Sequence, residues 1–217
     1  HVMLVSSGAV GVGRWRTGMT KAQVANKPEN AIDRQVCAAA GQEILMSTYN
    51  TFFQHMGLKC AQVLITQGDF SSRDRYFALM DTITRLTDRG LVPIINENDV
   101  VTGSSFSSGP LVFKDNDMLA SLVASGTGAD ALALMTDVEG VFNMPPDQPG
   151  AKRIAVYEAD DEIKIGEASA TAVGRGGMGS KIAAASLAAS NGVNTIVASG
   201  HNIHNLAEVF SGSDIGT

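Results

Sequence analysis

The sequence predicts an α/β fold, a three-layer αβα sandwich on an open, mainly parallel sheet. Short apolar, β-branched runs alternate with longer segments of helical periodicity. The runs are nearly continuous in apolar residues, as in strands buried on both faces of a parallel sheet. Each run ends in small or polar residues, and such sheets bind ligands outside the carboxyl ends of their strands.

Val2–Ser6 reads as the first strand. Ala31–Met56 is a long helix, because Ile32, Val36, Ala39, Ala40, Ile44 and Phe52 recur near helical spacing. Gly57 stands where a C-cap glycine belongs. Cys60–Thr66 is the second strand. Arg73–Arg89 is helical and stops at Gly90. Leu91–Asn96 is the third strand, Asn116–Ser125 a short helix and Ala131–Thr136 the fourth strand. Ser180–Ser190 is an alanine-rich helix closed by Asn191-Gly192. Val193–Ser199 is the fifth strand, and Leu206–Phe210 belongs to a further helix. The crossovers are expected to be right-handed.

Composition narrows the function. The 217 residues are 44% apolar and 18% charged, which is globular and argues against disorder. Twenty-two acidic against 16 basic residues leave a net charge of −6, the wrong sign for a nucleic-acid partner. No apolar run approaches the roughly 18–20 residues of a membrane span. Cys37 and Cys60 lie in apolar surroundings and read as reduced core thiols, as suits a cytoplasmic protein. His201 and His204, in SGHNIHN, read as a surface turn, and no metal ligands are assigned. The chain opens within a strand pattern and stops at Ile215-Gly216-Thr217, which reads as the start of another. A piece of something longer is expected.

Five strand exits carry the polar groups: Ser7-Gly8-Ala9, Thr66-Gln67-Gly68-Asp69, Asn96-Glu97-Asn98-Asp99, Thr136-Asp137 and Ser199-Gly200. Amides and carboxylates at Asn96–Asp99 can accept hydrogen bonds from an ammonium group, although Asn and Asp also build turns. In Lys114-Asp115-Asn116-Asp117, one polar residue serves as an N-cap, and Asn116 near a helix start can help hold an anion. Gly174-Arg175-Gly176-Gly177-Met178-Gly179-Ser180-Lys181 suits a phosphate-handling loop, since glycines let backbone N–H groups approach oxygens and a helix follows. It is not a P-loop, because Ser180 precedes Lys181. A hinge with a surface lysine is the plainer alternative.

In order, VSSGAV, INENDVV, FKDNDMLA, LMTDVEGVF and GRGGMGSKIAAA resemble the amino-acid kinase family, and within it the glutamate 5-kinase branch. AAAGQ (38–42) and PPD (145–147) are similar to the kinase half of eukaryotic pyrroline-carboxylate synthases. The resemblance implies the amino-acid kinase fold and transfer from ATP, with Mg²⁺, to the γ-carboxylate of L-glutamate, the first step of proline biosynthesis. It implies that Ser7, Asp99 and Asn116 bind glutamate, with Asn96 supporting that pocket. Thr136, Asp137, Arg175, Gly176, Gly177, Met178, Gly179, Ser180 and Lys181 would bind ATP. Lys181 would stabilise the transferring phosphoryl group, and Asp117 would organise the catalytic lysines. Proline enters as a candidate feedback inhibitor, and a homo-oligomer is expected.

Against that pattern, 1–217 is expected to be a kinase domain lacking its first strand, because no Lys-x-Gly turn precedes His1. Lys114 replaces a glycine common before D-N-D. Within 1–217 no RNA-binding-like C-terminal domain is expected. Two other readings stay open: an aspartate or N-acetylglutamate kinase, and a non-catalytic nucleotide or amino-acid sensor.

Overall fold

The computed structural model describes residues 1–25, 27–102, 113–158, 177–202 and 204–217. They fall into two units, His1–Asn116 and Asp117–Thr217.

The first unit runs β1 (Leu4–Val5), α1 (Ala9–Thr17), a 3-10 turn (Pro28–Asn30), α2 (Ala31–His55), β2 (Lys59–Ile65), α3 (Gln67–Ser71), α4 (Arg73–Asp88) and β3 (Leu91–Glu97). The strands are parallel in the order β1-β3-β2, with Leu4 beside Ile94 and Gln62 on its other side. Parallel pairing brings the exits of all three strands to one edge. The central strand is the most buried: Pro93, Ile94, Ile95 and Asn96 are all inside. Asn96 is the polar exception at its end, only 3% exposed.

Helix α2 ends as its sequence requires. Gly57 takes φ +69°, which a side chain would disfavour. Its N–H reaches Gln54 O at 3.0 Å and Leu58 N–H reaches Phe53 O at 2.8 Å, the Schellman pairing. Val193 and Gly192 repeat the pattern on Ala188 and Ala189.

Two helices were not foreseen. The glycines of AVGVGRWRT argue against α1 by propensity, but they let α1 approach α2. A Cβ on Gly13 would collide with the Cys37 carbonyl, and one on Gly41 with the Ala9 carbonyl. Helix α3 forms because Asp69 turns back on the strand exit: its Oδ2 accepts from Thr66 N and Thr66 Oγ1, both at 2.7 Å. Arg75 pairs with the other oxygen at 3.2 Å. This polar exit is a helix start.

The second unit contains α5 (Asn116–Thr127, which begins on the last residue of the first unit), β4 (Ala131–Thr136), α6 (Met178–Ser190), β5 (Asn194–Ser199) and α7 (His204–Phe210). β4 and β5 pair in parallel from Ala131–Asn194 to Thr136–Ser199. Ala124, Ala188 and Val193 form a small-residue core against which Ala129 and Leu132 pack. Thr217 exchanges two backbone hydrogen bonds of 2.9 Å with Val197, and its hydroxyl donates to Ile154 O at 2.6 Å.

The α/β architecture with parallel sheets agrees with the sequence. Element ends agree to within two residues. Cys37 is fully buried, but Cys60, read as a core thiol, is half-buried on β2, which is an outer strand. Burial still pushes its thiol up from the ordinary value. His204 opens α7 instead of lying in a turn, and both His201 and His204 are exposed. Among the described residues no helix is long and apolar enough to cross a membrane.

Candidate active site

In the first unit the exits of β1 and β3 meet a chain of amides. Asn116 Nδ2 donates to the Ser6 carbonyl at 3.0 Å and to Asn96 Oδ1 at 2.9 Å. Asn96 Nδ2 donates to Gln42 Oε1, on α2, at 3.1 Å. Asn116 is therefore not spent on capping α5, although it is that helix's first residue. Its approach is fixed by Phe113, three residues earlier, which is buried to 1% exposure. The Gln67 side chain clamps Phe113 through both backbone groups, donating to its O at 2.7 Å and accepting from its N at 3.1 Å. The Phe70 ring meets the Phe113 ring edge-on at 5.7 Å.

Ser7 sits exposed at the β1 exit, followed by Gly8 at φ +114°. Gly8 opens α1 without a side chain to cap it, so the N–H groups of that first turn receive no side-chain cap. Asp99 is half-buried and lines a cleft with Ala9, Gln42, Leu64 and Asn98. The structure thus brings Asn96 and Asn116 into direct contact, and sets Asp99 beside Gln42 in the cleft.

In the second unit, Lys181 Nζ donates to both carboxylate oxygens of Asp117, at 2.8 and 3.0 Å. The two side chains are only 12% and 17% exposed. The pair follows from the helices that carry it. Asp117 lies in the first turn of α5 and Lys181 in the first turn of α6, after the side-chain-free Gly177. One turn further along α5, Ser121 Oγ, fully buried, donates to Ala184 O of α6 at 2.6 Å and locks the two helices in register. Met178, Gly179 and Ser180 form the start of α6 with no acidic residue among them, which favours an anion there. Arg175 and Gly176 lie outside the described residues.

Thr136 and Asp137 stand at the β4 exit. Thr136 O accepts from Gly200 N at 2.7 Å, so the β4 and β5 exits are tied level. Asp137 is exposed, with the Thr136 hydroxyl 3.3 Å from its Oδ1.

Residues 1–199 match the amino acid kinase family. The chain belongs to the amino acid kinase family. A delta-1-pyrroline-5-carboxylate synthase of Mesembryanthemum crystallinum is 39% identical over the whole of this chain, which covers 31% of that relative. A glutamate 5-kinase of Geobacillus kaustophilus is 41% identical over the whole of this chain, which covers 56% of it. The chain spans between about a third and somewhat over half of the curated relatives it matches. Among solved structures, an isopentenyl phosphate kinase of T. acidophilum shares the fold, with a TM-score of 0.61 at 16% identity, covering all of this chain and 82% of that one.

The sequence alone assigns no role to Gln42, Gln67 or Ser121. Gln42 left a trace: it interrupts the buried stripe Ala38, Gly41, Met46 of α2. A lone amide in an apolar helical face needs polar partners from elsewhere in the fold. Gln67 and Ser121 carry no such mark, because their partners are backbone groups far along the chain.

Proposed function

We propose that this chain transfers the γ-phosphoryl group of ATP to the γ-carboxylate of L-glutamate, giving γ-glutamyl phosphate for proline biosynthesis. The partly buried Lys181–Asp117 pair, in a chain 41% identical to a glutamate 5-kinase, is the observation that carries this reading. Residues 1–217 act as one kinase domain in it.

A γ-carboxylate is already ionised at neutral pH, since glutamate has an ordinary pKa of about 4.3. It needs no general base, and catalysis becomes positioning and charge stabilisation. Lys181 holds its ammonium ready, oriented by both oxygens of Asp117, and neutralises charge on the transferring group. Gly177, Met178, Gly179, Ser180 and Arg175-Gly176 cradle phosphates, while Thr136 and Asp137 address the nucleoside. Asp99 accepts from the substrate ammonium. Asn116, fixed by Ser6 O and Asn96, turns its amide edge to the substrate beside Ser7.

Magnesium fits as a companion of the triphosphate. Mg²⁺ keeps water and phosphate oxygens and needs only one or two carboxylates. Among the described residues no group of three or more His, Cys, Asp or Glu is placed to hold a metal. Asp117, paired with Lys181 at the start of α5, is the carboxylate that would be offered to the ion. The ion would supply charge neutralisation on the phosphates.

The longest natural chain containing this sequence should form the hydroxamate when given glutamate, ATP, magnesium and hydroxylamine. Glutamate-independent ADP release, or turnover of aspartate or N-acetylglutamate instead, overturns the assignment. An N-acetylated substrate lacks the ammonium that Asp99 is assigned to take. Binding of both ligands with no turnover favours the sensor reading. Proline is proposed as a competitor for the same cleft, measurable in the same assay. We propose a homo-oligomer on the exposed Ile32 and Val36, one turn apart on α2, with Trp15 of α1 exposed in the same unit. Free Cys37 and Cys60 fit a reducing, cytoplasmic setting.

A further inference from the structure

The hydrogen bonds around Asn96 run in one direction, and that direction leaves a buried donor unused. The Ser6 carbonyl can only accept. It takes a hydrogen bond from Asn116 at 3.0 Å, so the facing atom of that amide is the nitrogen. The same nitrogen lies 2.9 Å from Asn96, which must present its oxygen. Asn96 then offers nitrogen on its other side, 3.1 Å from Gln42, which must present Oε1. A backbone carbonyl therefore fixes three side-chain amides in turn, and the Nε2 of Gln42 falls at the free end. Gln42 is 8% exposed, and among the described residues its Nε2 has no hydrogen-bond partner. A buried donor left unpaired is costly, so it calls for an acceptor that the described residues do not supply. Gln42 lines the cleft that also holds Asp99.

We infer that Gln42 is a substrate-binding residue whose Nε2 donates to the α-carboxylate of the amino-acid substrate. The inference rests on the functional reading above, in which Asp99 takes the ammonium. Ammonium and α-carboxylate hang on one carbon, so residues reading them must share one cleft, and Asp99 and Gln42 do. The chemistry is complementary: a carboxylate only accepts, and Nε2 only donates. Gln42 then selects for a free α-carboxylate and against substrates that carry an amide or nothing there.

Gln42→Glu isolates this contact. It keeps an oxygen for Asn96 Nδ2 and replaces only the donor with a negatively charged acceptor. The variant should raise the KM for L-glutamate by about tenfold or more, while the KM for ATP stays within about twofold. It should also improve the use of glutamate α-amide relative to L-glutamate, because that amide can donate to the variant's carboxylate. A structural defect would lower both substrates together and cannot produce the switch. In wild-type protein the side-chain amide resonance of Gln42, assigned by through-bond NMR, should shift with L-glutamate and not with 4-aminobutyrate. An unchanged glutamate KM, parallel loss on both substrates, or an amide resonance indifferent to L-glutamate overturns the inference and leaves Nε2 to a buried water. A wild-type protein without glutamate kinase activity overturns the functional reading and this inference with it. Activity with an indifferent Gln42 overturns this inference alone.

Discussion

Lys181→Met should lower the rate of phosphoryl transfer by about a thousandfold or more, and should move the glutamate KM by no more than about threefold. The ammonium is assigned to charge that develops as the phosphoryl group moves, so its loss falls on kcat. The same change has a structural cost, and the two must be separated. Methionine leaves the Asp117 carboxylate, 17% exposed, without its bidentate cation. Removing one member of a largely buried pair costs about 3 kcal/mol, near the low end of the range because neither group is fully enclosed. For a chain of this size that is a fall in Tm of roughly 6–12 °C. Asp117→Leu should cost a similar amount for the opposite reason, a stranded ammonium. The double variant removes both charges and should recover most of the lost stability. It should recover none of the lost rate. Differential scanning calorimetry beside single-turnover kinetics reads both quantities. A double variant that regains stability and transfer together would reduce Lys181 to a structural strut.

The contrast between these helices and the rest of the fold shows what the sequence could and could not disclose. Strands β2 to β5 and helices α2, α4 and α6 were legible, because continuous apolar runs and helical spacing report burial directly. The Asn96, Asn116, Asp117 and Lys181 assignments came from order along the chain and from resemblance. Their contacts did not. Lys181 meets Asp117 across 64 positions, and Asn116 meets Ser6 across 110. No local pattern encodes such a pairing. The polar exit at Thr66–Asp69 was ambiguous for a physical reason, since a capping box and a ligand site use the same side chains. Gln42 was visible as an odd amide in an apolar stripe, but the direction of its hydrogen bond depends on a carbonyl of β1's exit. Helix α1 was missed because propensity penalises glycine while close packing requires it.

That last conflict makes the second large prediction. Gly41→Ala should destabilise the protein by about 3 kcal/mol or more, and Gly11→Ala should stabilise it by up to about 1 kcal/mol. By helix propensity alone the two substitutions have the same sign, since each puts alanine for glycine within a helix, Gly11 in the first turn of α1 and Gly41 in the interior of α2. They differ in what the new methyl meets. On Gly41 it falls against the Ala9 carbonyl and the Gly13 nitrogen, backbone atoms that cannot swing aside as a side-chain tip can. On exposed Gly11 there is nothing within 4 Å. The helices α1 and α2 must therefore part at Gly41, and the consequence reaches the proposed glutamate cleft. Ser7 and Gly8 lead directly into α1, and Gln42 is the next residue of α2 after Gly41. Parting the helices should raise the glutamate KM with the ATP KM little changed, whereas Gly11→Ala should leave both alone. Thermal melts and initial rates on the two variants decide the matter. A shift of the same sign for both would mean that propensity governs α1. Opposite signs would mean that its glycines serve a close crossing, and that the crossing sets the distance between the first strand's exit and Gln42.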